Sequence, residues 1–324
     1  MCRAAQPRPL RPALRTHDDR FVDVKIHIYT DIANLFGQAC RVWMDVLLDA
    51  GHEAELVDMG MGNEQPLPEL GPCDVNLLVT GIYAFARFKT WGLPRHGKNV
   101  MWMFDPLTRQ EDAVMHSYKA TAFDAIASGL DAVIAMDASI AQYLERHHPR
   151  LPTQQIPYLV AAQNIIAPLA ESARTGQVIF MGGNTARRAA AQDCFRENGT
   201  PAEFAWAGLW GAARDEKRRG SRISLNIHAD PAHTYFDQFR TLEAWAAGTV
   251  VATETTEGLE PWGIVPGTHL AMADLERLPE VCGALLADPE RRAQMARAAQ
   301  DLLRSQFSPE RWRRDMLSVL EQIP

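Results

Sequence analysis

Short apolar runs alternate with longer amphipathic segments along most of the chain. In the first half, the predicted strands are VKIHIY (24–29), AELVDM (54–59), VNLLVT (75–80), NVMWMF (99–104) and AVIAM (132–136). Apolar residues recur at helical spacing in 35–49, 119–128 and 138–147. Because the strands are almost continuously apolar, they are typical of a parallel sheet that helices cover on both faces.

The same alternation restarts after a connecting segment, residues 156–176. Strands are predicted at 177–182, 202–207, 222–227 and 249–253, and helices at 185–197, 235–247, 276–287, 290–306 and 309–322. Asp288 and Ser308 are the expected N-caps of the last two helices, since a proline follows each.

This pattern predicts an α/β protein with two Rossmann-like domains facing a cleft. We assign residues 22–168 to the first domain and 169–324 to the second. Residues 1–21 are rich in Arg and Pro and are interpreted as a disordered tail or a misassigned start. In such folds, ligands bind outside the carboxyl ends of the strands.

Composition narrows the class of protein. The net charge of −7 argues against nucleic acid as the main partner. The five cysteines are scattered and form no CxxC pair, which indicates a reduced, cytoplasmic protein without a zinc site. No apolar run approaches the ~18 residues of a membrane span.

The stretch FMGGNTARR ends a predicted strand and opens a helix. Gly182, Gly183 and Asn184 form the turn, and Arg187 and Arg188 follow at the start of the helix. Glycine lets the backbone approach a ligand, and helix N-terminal amides favour anions. Cations at this end of a helix are unfavourable unless an anion lies nearby. The stretch therefore predicts a phosphate site, with a tight turn and solvated arginines as an equally weighted alternative.

Arg240 and Glu243 lie on a predicted helix that runs through Ala-Ala-Gly into the strand TVVAT. Their i, i+3 spacing allows a surface ion pair, which local chemistry favours. The alternative is that Glu243 accepts hydrogen bonds from vicinal hydroxyls, as an acid does on a ribose in dinucleotide-binding folds.

Polar residues also follow other predicted strands. Asn226 and His228 end the strand of SLNIHAD, where ligands gather, and Asp105 ends NVMWMF. Asp105 could act as a base or bind a hydroxyl, or it could cap the next turn. The charge run RDEKRRGSR (214–222) is interpreted as a solvated helix face or loop, with an anionic membrane surface as the lesser alternative.

Four elements in this order resemble one known family. They are VIFMGGNTARR, SRISLNIH, FRTLEAWAAGTVVATETTEGLE and PGTHLAMADLERLPEVCGALLADPERRAQMARAAQ, which span roughly residues 177–307. The order resembles the carboxyl-terminal domain of GT-B-fold glycosyltransferases of the retaining family 4 type, in the branch of spore-maturation-like enzymes. The first half fits that fold by its pattern only.

The resemblance implies that Glu243 binds the nucleotide ribose and that Gly182, Gly183 and either Arg187 or Arg188 contact the diphosphate. It also implies that the loop TETTEGLE, with Glu257, lies near the donor. The family often has a first acid eight residues before the ribose-binding one, and here that residue is Tyr235. With the residues selected above, the donor-binding candidates are Gly182, Gly183, Asn184, Arg187, Arg188, Asn226, His228, Tyr235, Arg240, Glu243 and Glu257, and the catalytic candidates are Asp105 and Arg188.

The expected activity is a metal-independent, hexosyltransferase-type transfer in glycan or glycoconjugate biosynthesis. A nucleotide diphosphate sugar is the expected co-substrate, with no tightly bound cofactor, and the acceptor is a saccharide, a lipid-linked molecule or another hydroxyl compound. A cytoplasmic location is expected, with contact to the inner membrane face as an addition. The alternatives are a nucleotide-sugar epimerase of the same fold and a non-catalytic protein that binds nucleotide sugars.

Overall fold

The computed structural model describes residues 24–322, apart from 31–32, 61–65, 69, 80–81, 109–113, 161, 207–208, 210 and 232–233. Its first half contains six strands and four α-helices: β1 Lys25–Thr30, α1 Ala33–Asp49, β2 Glu53–Asp58, β3 Val75–Val79, α2 Ile82–Trp91, β4 Lys98–Met103, α3 Val114–Ile126, β5 Ala132–Ala135, α4 Ala138–His147 and β6 Thr153–Gln155. The strands form one parallel sheet in the order β2-β1-β3-β4-β5-β6.

A second parallel sheet lies in the other half, in the order β11-β10-β9-β7-β8. Its elements are β7 Gly176–Met181, α5 Ala186–Asn198, β8 Ala202–Ala205, α6 Gly211–Gly220, β9 Ser221–Asn226, α7 Gln238–Ala246, β10 Val250–Glu254, β11 Ala271–Ala273, α8 Leu278–Ala287, α9 Pro289–Gln306 and α10 Pro309–Gln322. Two parallel α/β sheets confirm the predicted fold class, while the division at residue 168 stays a prediction.

The predicted strands are all present, and Asp288 and Ser308 accept hydrogen bonds from the amides of Arg291 and Arg311 as the expected caps. The structure adds α2, α6 and the short edge strands β6 and β11. The sequence of α2, IYAFARFKTW, is apolar on several sides and so lacks helical periodicity. The predicted tail, residues 1–21, lies outside the described residues.

The last described helix, α10, packs against the first half of the chain. Trp312 on α10 stacks on Trp43 of α1, with ring centroids 6.2 Å apart and planes 7° apart, and lies 6.0 Å from Trp102 of β4. All three indoles are at least 99% buried. This cluster belongs to a core that continues into both sheets, so α10 joins the two halves.

A buried amide makes a second connection between the halves. The Gln238 side chain, at the start of α7, accepts from the backbone N–H of Tyr158 at 2.8 Å and donates to the carbonyl of Met136 at 2.5 Å. Gln238 is fully buried, and its partners lie in the connector (Tyr158) and directly after β5 (Met136). Paired polar groups in a low-dielectric interior fix the position of α7 relative to β5.

The glycine at the end of the Ala-Ala-Gly stretch is required by a close approach of the connector. Gly248 has φ +71°, and a Cβ at this position would lie 2.6 Å from the Cα of Pro168. Only glycine satisfies both conditions, so the helix turns directly into β10. In the part of the chain that the structure describes, no helix is both long and apolar enough to cross a membrane.

Replacement of Trp312 tests the connection made by α10. Trp312→Ala should lower the free energy of unfolding by about 3–5 kcal/mol, because the lost indole leaves a cavity in the core that both halves share. Urea unfolding measures the change, and the exposed neighbour Arg313→Ala is the control. A loss below about 1 kcal/mol would show that α10 contributes little to this core.

Candidate functional site

A cavity of about 550 Å³ lies between the two sheets. The carboxyl ends of five strands border it, since Asp105 follows β4, Asp137 follows β5, Gly182 follows β7, Ala205 ends β8 and His228 follows β9. This is the position at which ligands bind in open parallel sheets, and the volume suits a small organic ligand. The cavity is therefore the candidate site.

Arg188 enters this cavity from the second sheet. Thr185 caps α5 by accepting from the Arg188 amide, and the Arg188 guanidinium donates to the carbonyls of Ile227 at 2.9 Å and Gly183 at 3.1 Å. The side chain is only 4% exposed. Burial, followed by the Arg240 charge, lowers the pKa of Arg188 to about 10. Its direct partners in the described chain are neutral carbonyls, so its charge favours an anion in the cavity.

Arg187 turns away from Arg188. It forms an ion pair with the carboxylate of Glu254, whose other oxygen accepts from the backbone amide of His228. Glu254 is 3% exposed and compensates the Arg187 charge. Of the two candidate arginines, Arg188 thus lines the cavity, whereas Arg187 lies outside the lining and pairs with Glu254.

The start of α7 carries its own carboxylate cap. Asp237 accepts from the Arg240 amide at 3.0 Å and forms an ion pair with the Arg240 side chain. Burial alone would raise the pKa of Asp237, but Arg240 and its amide outweigh that effect and lower it. Arg240 therefore pairs with Asp237, and the surface pair of Arg240 with Glu243 favoured from the sequence is wrong.

Glu243 is the centre of a different network. Its Oε2 lies 3.1 Å from Nη2 of Arg214 and 2.9 Å from Nη2 of Arg218, and its Oε1 accepts from the Tyr158 hydroxyl at 3.2 Å. Arg214 and Arg218 line the cavity, whereas Glu243 lies behind them. The carboxylate therefore holds two guanidinium groups at the wall.

The first half contributes two carboxylates to the opposite wall. Asp105 pairs with the buried Lys119 of α3 at 2.7 Å. Asp137 caps α4 by accepting from the Ile140 amide at 3.0 Å and the Ser139 hydroxyl at 2.6 Å. Burial, with a smaller contribution from Asp237 across the cleft, raises the pKa of Asp137.

The other sequence candidates divide between the cavity and its surroundings. Gly182, Gly183, His228 and Tyr235 line the cavity. A Cβ on Gly182 would lie 2.9 Å from the Phe180 ring, so the turn needs glycine there. The residues outside the lining are the exposed Asn184 and Glu257 and the buried Asn226, which donates to Thr253.

Sequence reasoning missed several residues of the lining. Lys119, Asp137 and Tyr158 have no local signature. Arg214 and Arg218 lie within the charge run interpreted as a solvated face, yet they are 7% and 4% exposed. Their i, i+4 spacing was a usable signal, because it places both on one face of a helix.

Comparisons with known proteins agree with this architecture. Residues 210–318 match the protein-family model described as glycosyl transferase-like. No curated protein sequence matches the chain. HepE of Anabaena, solved with UDP-glucose, is 12% identical with a TM-score of 0.65, and the match covers 91% of this chain and 99% of HepE.

Two further solved structures are similar. Sucrose-phosphate synthase of Thermosynechococcus elongatus is 13% identical with a TM-score of 0.62, over 92% of this chain and 98% of the synthase. S. aureus TarM, solved as a variant with fondaparinux, alpha-GlcNAc-glycerol and UDP, is 9% identical with a TM-score of 0.58. That match covers 76% of this chain and 55% of TarM, so the chain spans about half of TarM's length. The chain has the two-domain GT-B fold of these proteins.

The buried Tyr158 phenol makes the Glu243 network sensitive to alkaline pH. Burial, followed by the Glu243 charge, raises the pKa of Tyr158 well above 10. The folded protein therefore keeps a proton that the unfolded chain loses near pH ~10, so this contribution to stability is present below pH ~10 and is lost as the pH rises further. Urea unfolding should show Tyr158→Phe to be about 1–2 kcal/mol less stable than wild type near neutral pH, because it lacks the hydroxyl donor.

The difference between the two proteins should shrink as the pH rises above about 10. A difference that stays constant through about pH 11 would mean that the phenol is not held protonated by the fold.

Proposed function

We propose that the protein is a glycosyltransferase that moves a sugar from a nucleotide diphosphate sugar to an acceptor hydroxyl. The single observation that carries this proposal is Arg188, a buried guanidinium with neutral partners that faces the cleft between two parallel sheets. A buried cation of this kind favours an anionic ligand, and the diphosphate of such a donor supplies the charge. The family-model match of residues 210–318 supports the reaction class.

The diphosphate is proposed to lie at the turn after β7. There Gly182 and Gly183 let the backbone come close, and Arg188 adds charge beside the N-terminal end of α5, where the helix dipole favours an anion. Arg240 lies within 3.4 Å of a Cβ built on Gly182 and can contact the same group. As the sugar leaves, negative charge grows on the diphosphate, and fixed cations stabilise it. We propose that these arginines do so without a metal ion.

Glu243 is proposed to bind the ribose, as the family resemblance implies. Its Oε1 already accepts from the Tyr158 hydroxyl at 3.2 Å. A ribose hydroxyl is a donor of the same kind, and an ionised carboxylate has about four lone-pair sites, so Glu243 can accept a further hydrogen bond while it keeps that of Tyr158. Glu243 would then contact the ligand through an oxygen that is now shared with the connector.

The first-half wall is proposed to receive the acceptor. Asp105 lies at the carboxyl end of β4, across the cavity from Arg188, and its pairing with Lys119 fixes its position. A carboxylate there can hold the acceptor hydroxyl for attack on the sugar. The acceptor is proposed to be a saccharide, a lipid-linked molecule or another hydroxyl compound of glycan biosynthesis, and the enzyme a cytoplasmic hexosyltransferase related to retaining family 4, with or without peripheral membrane contact.

Arg188→Met should lower turnover of the donor by ~10²-fold or more, because a charged partner of the leaving diphosphate is lost. The matched control is Arg196→Met on the same helix, whose side chain is 72% exposed. Release of nucleoside diphosphate in the presence of an acceptor extract measures turnover. Equal turnover of the Arg188 and Arg196 variants would remove Arg188 from the donor site.

A panel of UDP, GDP, dTDP and CMP sugars identifies the donor class by thermal stabilisation. A ligand at 100 times its dissociation constant should add ~2.7 kcal/mol to the stability of the wild type. Glu243→Ala should respond much less if the carboxylate binds the ribose.

Product analysis separates the proposal from its rivals. Sugar transferred to an acceptor supports it. Conversion of the donor sugar without acceptor would indicate an epimerase, and tight binding without turnover would indicate a non-catalytic protein. Failure of every member of the panel to stabilise the folded wild type would contradict the nucleotide-sugar site itself.

A further inference from the structure

Two arginines of α6 form a second polar region of the cavity, apart from Arg188. Arg214 and Arg218 lie one helical turn apart, both line the cavity, and they are 7% and 4% exposed. The proposed donor site at the turn after β7 does not use them. Burial of two long cationic side chains at a cavity wall is costly and therefore unusual on a helix whose other residues are mostly solvated.

The charge of this region is balanced within the protein. Glu243 lies within salt-bridge distance of both guanidinium groups, and Asp215 lies 3.3 Å from Arg218 and 3.8 Å from Arg214. Two positive charges thus face two negative charges, in contrast to Arg188. The region has less need of an anion than of neutral acceptor atoms. Each guanidinium group has five N–H donors and no acceptor, so the donors of the two arginines outnumber the oxygens of Glu243 and Asp215 that reach them.

The same part of the cavity has an aromatic wall. The Arg214 guanidinium lies 5.1 Å above the Phe239 ring, and the Phe239 ring packs edge-on against Tyr158 at 5.3 Å. Trp206 and Leu209 also line the cavity. A planar ring could stack on this wall while its edge meets the arginines.

The spacing along α7 separates this region from the diphosphate site. Asp237, which pairs with Arg240, and Glu243 are six residues apart, which corresponds to about 9 Å along a helix. The charges that act on Arg188 are those of Arg240, Asp237 and Glu254, whereas those that act on Tyr158 are Glu243, Arg214 and Arg218. One elongated ligand can therefore occupy both regions.

We infer that Arg214 and Arg218 read the edge of the donor's nucleobase and select bases with a keto oxygen over bases with an amino group. The inference rests on the proposed nucleotide-sugar site and deepens it. Uracil, thymine and guanine present a carbonyl oxygen where cytosine and adenine present an amino group. Side chains that only donate satisfy the oxygen and leave an amino group facing other donors, unpaired.

Nucleoside diphosphates test this without knowledge of the sugar or the acceptor. UDP and CDP differ mainly in the oxygen or amino group at one ring position, and GDP and ADP form the purine pair. Calorimetric titration of the wild type should give at least about tenfold tighter binding for the keto member of the pair that fits the site. Affinities within about threefold in both pairs would overturn the inference, while leaving the proposed function intact.

Variants assign the preference to the two arginines. Arg214→Met and Arg218→Met should reduce the keto preference to within about threefold, whereas Arg219→Met, an exposed residue of the same helix, should keep it. The affinity ratio is an internal control, since a variant that fails to fold binds neither member. If Arg218→Met does not fold, Arg218→Lys takes its place. This variant keeps the positive charge but loses the planar guanidinium, so it should lose most of the keto preference.

A keto preference that persists in both arginine variants would overturn the assignment. If none of the four diphosphates binds the folded wild type, the proposed function fails and this inference fails with it. The two failures are distinguishable, because the inference alone fails when the diphosphates bind without discrimination.

Discussion

A buried cation is costly unless something in the fold compensates its charge, and this constraint organises the cleft. Arg187 meets Glu254, Arg240 meets Asp237, and Arg214 and Arg218 share Glu243. Arg188 differs, since backbone carbonyls hold it in place without cancelling its charge. The site therefore combines paired cations with a buried cation, Arg188, whose direct partners in the described chain are neutral, and this combination supports recognition of an extended ligand with an anionic middle and a neutral end.

This electrostatic arrangement depends on contacts between the halves. Tyr158 belongs to the connector yet donates to Glu243 of α7, and Gln238 of the same helix bonds to the connector and to the end of β5. A shift of one sheet relative to the other would thus disturb the partners of Arg214 and Arg218 directly. The helix α7 thus brings together Asp237, which caps its first turn, Gln238, which joins the halves, and Glu243, which holds two arginines of α6.

The sequence predicts the sheets well because buried parallel strands have a strong local signature. It also places Gly182, Arg188 and Glu243 near the ends of the correct elements, since turn chemistry and helical spacing are local too. The sequence does not predict which charged side chains pair. Local spacing favoured an ion pair of Glu243 with Arg240, whereas in the structure Glu243 pairs with Arg214 and Arg218, which lie on a helix about 25–30 residues earlier in the chain. The charge density of residues 214–222 indicated a solvated segment. The i, i+4 spacing shows that Arg214 and Arg218 share one face of a helix, but whether that face points to solvent or to the cavity depends on tertiary packing.

The position of Trp312 has a consequence for the order of events during synthesis. The indole completes a cluster with Trp43 and Trp102, which belong to elements made much earlier. Until α10 leaves the ribosome, the first half carries an apolar surface without its cover. Domains of most chains fold in order of synthesis, but here the first half reaches its final packing only after the last described helix has appeared. A chaperone that binds exposed aromatic surface would therefore hold the nascent chain longest at this first half.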